Sequence, residues 1–307
     1  MTVTTSCCWV CGCTTARVWK ASGPQRPLVP EDVRVTDSRY GLTLPLVQCT
    51  QCGFVFADSV TQEELTSLYS QLEDADYLTS MPGRNLQMQW LLKKALAACP
   101  NAESMLDIGA ASGYLVGAGQ GRGLHADGIE PSAMLVQAAR EQFNVSLVQG
   151  VFPDVQPPRS AYDLVFLVDV IEHVADPVGL LRAAAGLLTD RGVMLIVTPD
   201  LRSLAARLFG RRWWHYRLAH VGYFDRRTFA LAASAAGLRP RRFFRACWFF
   251  EFRYLAQRLT RYLPIGWLNR CAERIVGVRA LYRLIVPLNL FDSWVVVLAR
   301  DPKAPPR

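Results

Sequence analysis

The spacing of apolar residues divides the chain into a β-rich start, a helical stretch and an alternating α/β region. Over residues 1–58 apolar and polar positions alternate between turn signals, as in "VRVTDSRYGLTLPLVQCTQCGFVFAD", which predicts a small β module. Residues 59–100 have apolar residues at helical spacing and open on a capping-box pair, Thr61 and Glu64, which predicts a helical linker or lid. From residue 101 onward, strand-length apolar runs alternate with helical segments.

The alternating region, residues 101–245, predicts a doubly wound α/β sheet. Strands are expected at 104–109, 126–130, 145–150, 162–170 and 192–199, with helices at 113–120, 132–142 and 176–188. A helix at 225–238 and a strand-like segment at 239–250 follow. Residues 246–300 are predicted as an arginine-rich helical insertion ending in a last core strand, "SWVVVLARD", and 301–307 as a disordered tail.

Composition narrows the class of protein. With 307 residues, 51% of them hydrophobic, the chain can bury a large core. It has no apolar run of about 18 residues and does not open on a secretory leader, so we expect a cytoplasmic protein. Nine cysteines, an odd number, favour reduced thiols, some of them bound to metal.

The net charge of +8 is concentrated near the C-terminus. Residues 202–300 contain 19 arginines and four acidic residues, interleaved with tryptophan and other aromatic residues. This pattern fits an anionic small-molecule acceptor, peripheral contact with anionic lipid, or a helical cap that packs on the sheet or on a second copy in a homodimer. Nucleic acid is disfavoured, because the positive charge does not lie on the cysteine-containing module.

Two C-x-x-C-G sequences predict a metal centre in the first module. The four cysteines are Cys8, Cys11, Cys49 and Cys52, and each pair is followed by a glycine that permits a tight turn. Four converging thiolates are typical of structural zinc, which would stabilise a module with a small core. Free thiols are the alternative, and Cys7 and Cys13 flank the first pair.

The loop after the first predicted core strand, "LDIGAASGYL", does not fit a dinucleotide. A G-x-G-x-x-G loop would need glycines at 109, 111 and 114, where the chain has Gly109, Ala111 and Tyr114. Asp107 would repel a pyrophosphate but suits a ligand with an amino group or a sulfonium, and S-adenosylmethionine has both. Glu130 ends the next strand, where a carboxylate can accept hydrogen bonds from ribose hydroxyls.

Several motifs carry a family resemblance. Five segments resemble, in order and spacing, the motifs of class I S-adenosylmethionine-dependent methyltransferases. They are "LDIGAASGYL", "DGIEPS", "YDLVFLVDVIEHVADP", "GVMLIVTPD" and "HVGYFDRRTF". The C-x-x-C-G pairs followed by "FVFAD" resemble the zinc-ribbon subgroup, which includes deoxysugar C-methyltransferases and relatives in bacterial glycan and natural-product clusters. The resemblance implies a Rossmann-like seven-stranded doubly wound sheet, an N-terminal zinc ribbon and a helical C-terminal cap.

The resemblance also implies roles for individual residues. It assigns to the cofactor Asp107, Gly109, Ala111 and Gly113 (methionine side), Glu130 and Pro131 (ribose), Val151 (adenine), and Asp169 and Val170 (sulfonium). Two positions depart from the family pattern: Ala111 replaces a glycine, and Val151 stands where many relatives have an acid. Adenine would therefore rely on apolar packing by Val151 or Phe152 and on backbone groups.

Histidine is the expected general base, and the chain has four. His173, in "DVIEHV", and His220, in "LAHVGYF", are the predicted catalytic residues, His220 as general base or acceptor ligand. The alternatives are that His173 orients its loop together with Glu172, and that His220 caps its loop. His215 is expected in a loop that covers the site, and His125 is expected to be structural or exposed. Tyr223 and Tyr77 are weaker candidates, Tyr77 for closing over the cofactor.

These observations predict a methyltransferase that moves the methyl group of S-adenosylmethionine to an oxygen or carbon of a small, anionic, sugar-like or natural-product acceptor. One alternative is a non-catalytic adapter that keeps the fold without turnover. Another is a methyltransferase that acts on a lipid-linked substrate at the membrane surface.

Overall fold

The computed structural model describes residues 2–4, 7–21, 23–24, 26–35, 39–74, 81–252, 255 and 284–303. Tyr77, most of the predicted helical insertion and the end of the predicted disordered tail lie outside the described residues. No helix in the described part is long and apolar enough to cross a membrane.

The described part of the first hundred residues forms four short strands and two α-helices. They are β1 (Thr2–Thr4), β2 (Thr15–Lys20), β3 (Leu46–Cys49), β4 (Val55–Phe56), α1 (Gln62–Ser70) and α2 (Met81–Ala98), with a 3-10 helix at Pro30–Val33. The predicted capping box is present at the start of α1, where the Glu64 amide donates to Thr61 Oγ1 and the Thr61 amide donates to Glu64 Oε2. These two hydrogen bonds satisfy amides that the first helical turn cannot.

The rest of the chain alternates strands and helices. The elements are β5 (Ser104–Ile108), α3 (Tyr114–Gln120), β6 (His125–Glu130), α4 (Ala133–Phe143), β7 (Val148–Gln149), β8 (Tyr162–Val168), α5 (Pro177–Gly186), β9 (Leu188–Pro199), α6 (Leu204–Phe209), β10 (Gly222–Tyr223), α7 (Arg226–Ala235), β11 (Leu238–Arg245), β12 (Trp248–Glu251), β13 (Ile285–Leu288) and β14 (Ser293–Arg300). Two 3-10 helices lie at Ile171–His173 and Gly210–Arg212.

Seven strands form the central sheet, in the order β11-β14-β9-β8-β5-β6-β7. Strands β5 to β9 pair in parallel, and β14 is antiparallel to both of its neighbours. Alternate residues of β8 and β9 enter two separate cores: α5 and α7 pack on one face of the sheet, and α2 and α3 pack on the other. Both faces are therefore covered, which explains the continuous apolar runs in these strands and confirms the predicted class I methyltransferase fold.

The N-terminal module and the central sheet are joined by β10. This strand pairs antiparallel with β4 and completes a five-stranded sheet of order β1-β2-β3-β4-β10. Val221, just before β10, donates its amide to the Glu172 carbonyl and accepts from the Ala57 amide. Trp213 is fully buried in a core that also contains Leu46 of the module. The chain between β9 and α7 is thus held between the two sheets.

The described ends of the predicted helical insertion form a two-stranded ribbon. β12 and β13 pair antiparallel, with Glu251 opposite Ile285. The prediction of helix at residues 285–288 is therefore wrong, because these residues form a strand that pairs with β12, which is distant in the sequence. The ribbon packs closely on α2, since a Cβ at Gly83 would lie 2.3 Å from the Phe249 carbonyl oxygen.

Candidate active site and metal centre

A cavity of about 1020 Å³ lies at the carboxyl ends of β5, β6 and β8, where open α/β sheets bind ligands. Its other walls come from α1, α2, β12 and the chain at 214–217. The predicted site residues that line it are Asp107, Gly109, Ala111, Glu130, Pro131, Val151, Asp169, Val170 and His173. Gly113 and His220 do not line it.

The loop after β5 depends on left-handed backbone conformations. Gly109, Ala111 and Gly113 have φ angles of 77°, 48° and 77°. A Cβ at Gly109 would lie 2.6 Å from Val170 Cγ2, and one at Gly113 would lie 2.9 Å from Val145 Cγ1. Gly113 therefore supports the loop by close packing at the start of α3, away from the cavity. Ala111 keeps the left-handed conformation at a cost of about 1 kcal/mol.

Two buried carboxylates face each other across the ends of β5 and β6. Asp107 is 4% exposed, and its Oδ1 has no hydrogen-bond partner in the described part of the chain. Burial, with a contribution from Glu130, raises the pKa of Asp107 to about 8. Burial also raises the pKa of Glu130 to about 7, although this carboxylate accepts hydrogen bonds from the Ser132 amide at 3.0 Å and the Ala111 amide at 2.8 Å. An uncompensated acid here fits a cationic ligand group.

The end of β8 supplies the next wall of the cavity. Asp169 has a φ of 53° and donates its amide to the Val197 carbonyl at 3.0 Å. Burial raises the pKa of Asp169 to about 6, while the nearby His215 opposes this shift. Val170 covers Gly109. On the other side of Glu130, Val151 and Phe152 line the cavity with apolar surface.

The two predicted catalytic histidines are adjacent but differ in their access to the cavity. Their rings are perpendicular, with centroids 4.7 Å apart. His173 faces the cavity, and its Nδ1 lies 2.8 Å from the Ala219 carbonyl oxygen and 2.6 Å from Tyr69 Oη. Burial, and then Arg217, lower the pKa of His173 to about 3. His220 is buried behind it, and burial followed by His173 holds the pKa of His220 well below its usual value.

A histidine–aspartate pair lines the cavity beside these residues. His215 Nε2 lies 3.0 Å from Asp292 Oδ2, which also accepts a hydrogen bond from Trp214 Nε1 at 2.7 Å. Burial opposes ionisation of Asp292, but the hydrogen bonds and charge of His215, together with Trp214, lower its pKa overall. The pair therefore favours an ionised Asp292 that orients the His215 ring, leaving Nδ1 unbonded among the described residues.

The four predicted cysteine ligands converge in the N-terminal module. The Sγ atoms of Cys8, Cys11, Cys49 and Cys52 all lie within 4.8 Å of one another. Cys8 and Cys52 are 3.5 Å apart, and Cys11 and Cys49 are 3.6 Å apart. Gly12 and Gly53 have φ angles of 76° and 83°, as the predicted turns require. The flanking thiols are outside this group: Cys7 is exposed, and Cys13 contacts Thr15 Oγ1 at 3.2 Å.

A family model described as "Methyltransferase domain" matches residues 83–242, which is more than half of the chain. The chain belongs to this methyltransferase family. The match begins within α2 and ends within β11, and it includes every residue predicted to bind the cofactor.

Curated relatives of this methyltransferase domain protein include two bacterial enzymes named "Ubiquinone biosynthesis O-methyltransferase". The one from Rhodopseudomonas palustris (strain TIE-1) is 31% identical over 129 residues, 41% of this chain and 47% of the relative. The one from Bradyrhizobium sp. (strain ORS 278) is 30% identical over 128 residues, 40% of this chain and 47% of the relative. The chain thus spans about half the length of the curated relatives it matches.

Solved structures similar to this methyltransferase domain protein have low sequence identity. One is a chain from the complex between the Haloferax volcanii Trm112 methyltransferase activator and the putative methyltransferase, with 19% identity, a TM-score of 0.49, and 75% and 100% of the two chains covered. Another is the CcbJ methyltransferase from Streptomyces caelestis, with 15% identity, a TM-score of 0.46, and 77% and 96% covered.

The His215–Asp292 pair of this chain was not predicted from the sequence. The partners are 77 residues apart, and the predicted insertion separates them. The only sequence signal is an acid directly before the last core strand. Arg217 was also not singled out: it lines the cavity, and its Nε is buried without a partner in the described part of the chain.

Proposed function

We propose that the chain is an S-adenosylmethionine-dependent methyltransferase that transfers the methyl group to a hydroxyl oxygen of a small acceptor. The observation that carries the proposal is the buried, unpartnered Asp107 carboxylate beside Glu130 in a cavity of about 1020 Å³. The family membership supports it, and the O-methyltransferase names of the relatives favour oxygen over carbon.

In this proposal each wall of the cavity takes one part of the cofactor. Asp107, with the loop of Gly109 and Ala111, would receive the charged methionine end. Glu130 and Pro131 would hold the ribose, Val151 the adenine, and Asp169 with Val170 the sulfonium side. Gly113 would act indirectly, by allowing the loop to pack on Val145.

The protein's contribution to methyl transfer is alignment and proton removal. The acceptor oxygen must lie in line with the methyl group, and its proton must leave as the new bond forms. His215 is the best-placed base, because its Nε2 is held by Asp292 and the residue lines the cavity. His173 reaches the cavity but is a weaker base, since its pKa is lowered to about 3.

An anionic acceptor is supported by Arg217. Its Nη2 donates to the carbonyls of Arg34 and Val35, which holds the guanidinium at the cavity wall, and its buried Nε has no partner among the described residues. A buried guanidinium donor is best satisfied by a carboxylate or phosphate oxygen. We therefore propose an acceptor that carries a hydroxyl group and an acidic group, as in a sugar acid or a phosphorylated sugar.

We also propose that the four cysteines hold a structural zinc ion. A tetrahedral site with Zn–S bonds of about 2.3 Å has sulfur atoms about 3.8 Å apart, close to the separations of 3.5 and 3.6 Å between the paired Sγ atoms. Four thiolates fill the coordination sphere, so the zinc would stabilise the module rather than take part in methyl transfer.

Calorimetry with S-adenosylmethionine tests the proposed function, followed by tritiated methyl transfer to a sugar acid, a phosphorylated sugar and a simple phenol. Binding and transfer to an acidic hydroxyl acceptor are expected. No binding at millimolar cofactor would contradict the proposal, and binding without transfer would favour the adapter alternative.

Replacing His215 by glutamine is expected to lower kcat about a hundredfold, the usual scale for loss of a general base, with little change in the Kd for S-adenosylmethionine. The rate with the acceptor found in the transfer assay is the measurement. His125→Gln is the matched control, because this histidine is exposed at the start of β6. Unchanged kcat in the His215 variant would exclude His215 as the base.

Cofactor binding is expected to weaken as the pH falls. The pKa values of Asp107 and Glu130 are raised to about 8 and about 7, so the free protein protonates both groups near neutrality. The cationic methionine end binds ionised Asp107, so binding must release a proton from Asp107 below pH 8, and Kd should rise by up to about tenfold for each unit that the pH falls. Calorimetry between pH 6 and 8.5 measures this, and a flat Kd would show that the cation does not contact Asp107.

A further inference from the structure

A second cluster of metal-ligand side chains lies directly behind the cavity wall. Glu172, His173 and His220 each place one ligand-type atom within 4.8 Å of the others. Glu172 and His173 belong to the 3-10 helix after β8, and His220 precedes β10. The Val221 amide bonds the Glu172 carbonyl, which fixes the two segments against each other. This cluster is separate in sequence and in space from the cysteine centre of the N-terminal module.

Two of the three side chains carry a buried atom with no partner. Glu172 is 2% exposed and His220 is 4% exposed. Glu172 Oε1 and His220 Nδ1 make no hydrogen bond in the described part of the chain. Buried polar atoms nearly always have a hydrogen-bond partner, so two unpartnered ligand-type atoms in one cluster indicate that a bound group completes the cluster. A cation satisfies both at once, because each offers a lone pair.

The remaining atoms of the cluster are already held from outside. Thr198 Oγ1 donates to Glu172 Oε2 at 3.0 Å. His173 Nδ1 lies 2.8 Å from the Ala219 carbonyl oxygen and 2.6 Å from Tyr69 Oη, so the hydrogen-bond contacts of this ring are on Nδ1, and Nε2 has none among the described residues. Metal-binding histidines and carboxylates typically have this arrangement, with the outer atom bonded and the inner atom available.

We propose that Glu172, His173 and His220 bind a divalent transition-metal ion of the zinc(II), cobalt(II) or iron(II) class. Two imidazoles and one carboxylate suit these borderline ions better than magnesium or calcium, which prefer oxygen ligands only. Three protein ligands leave at least one coordination position, and His173 is the ligand that faces the cavity. A cation in this cluster would therefore lie directly behind the cavity wall, bound to a histidine that also lines the cavity.

The test is the metal content of the untagged full-length chain after exposure to zinc and removal of loosely bound ions. Two zinc ions per chain are expected, one in the cysteine centre and one in the new site. Glu172→Gln and His220→Gln should each reduce the content to one, while His125→Gln should keep two. One zinc in the wild-type chain, or two in both cluster variants, would overturn the proposal.

Cobalt substitution separates the two sites spectroscopically. Cobalt in the cysteine centre should give intense thiolate charge-transfer absorption, and cobalt in the new site should add only weak visible bands. Glu172→Gln, which keeps the shape of the side chain, should remove the weak bands and leave the thiolate absorption as a report that the protein is folded. Weak bands that persist in this variant would refute the ligand assignment. Neither readout depends on cofactor binding or methyl transfer, so the outcome is independent of the proposed function.

Discussion

Replacing Asp107 by asparagine is expected to weaken S-adenosylmethionine binding more than a hundredfold. The amide has the size of the carboxylate but no charge to offset the cationic end of the cofactor. Asp107 is buried, and its Oδ1 has no other partner in the described residues, so the whole interaction would be lost. Breaking one half of a buried charge pair costs about 3 kcal/mol or more, and calorimetry at pH 8.5 measures the loss.

The control for this experiment is Asp127→Asn. Asp127 lies on the neighbouring strand β6, opposite Leu106 of β5. Its carboxylate accepts a hydrogen bond from Tyr162 Oη and does not line the cavity. Its loss should change stability but not cofactor affinity. Thermal unfolding should show that Asp107→Asn remains folded, because burial already opposes ionisation of this acid. A folded Asp107 variant with wild-type affinity would show that the methionine end of the cofactor binds elsewhere.

Loss of the thiolate-bound zinc is expected to unfold the N-terminal sheet while the central sheet stays folded. Zinc binding supplies on the order of 10 kcal/mol of apparent free energy in small zinc modules. Cys49→Ser should therefore abolish amide protection in β2, β3 and β4, and also in β10, because β10 pairs with β4. Amide hydrogen exchange and metal content measure both effects. Strands β5, β8 and β9 should keep their protection, since α2 and α3 cover one face of the central sheet and α5 and α7 pack on the other, where Phe54 and Phe56 of the module join the same core.

Cys7→Ser and Cys13→Ser are matched controls, because both thiols flank the first ligand pair and neither belongs to the converging group. Both variants should keep the zinc and the protection. A Cys49→Ser protein that loses zinc but keeps its N-terminal sheet would show that the module folds on its own apolar core. Zinc retained in that variant would contradict the ligand assignment.

The central sheet could be predicted from sequence because its strands are apolar, short and regularly separated by helices. The same holds for the cysteine centre, where spacing and glycines dictate the turns, and for the loop at Asp107. Each of these features is local in sequence. The cavity's His215–Asp292 pair, the joining of β10 to β4 and the pairing of β12 with β13 depend on contacts between distant segments.

Strands β10 and β13 show why pairing between distant segments could not be predicted from the pattern of apolar residues. β10 has only two residues, too few for any periodicity, and its position follows from Trp213 entering the core of the N-terminal module. β13 contains a proline and follows an arginine-rich stretch, so nothing in its composition separates it from that stretch. Similarly, the Glu172–His173–His220 cluster arises only once the segment before β10 folds over the end of β8.

The shared strand β10 limits how such a protein can be rearranged by recombination. A chimaera that takes its N-terminal module from one homologue and its α/β domain from another would separate β4 from the strand it evolved to pair with. The exchange would remain compatible only if the short segment around residues 213–223 moved with the module. Two stretches that lie more than 150 residues apart in the sequence would therefore have to be exchanged together in such a chimaera.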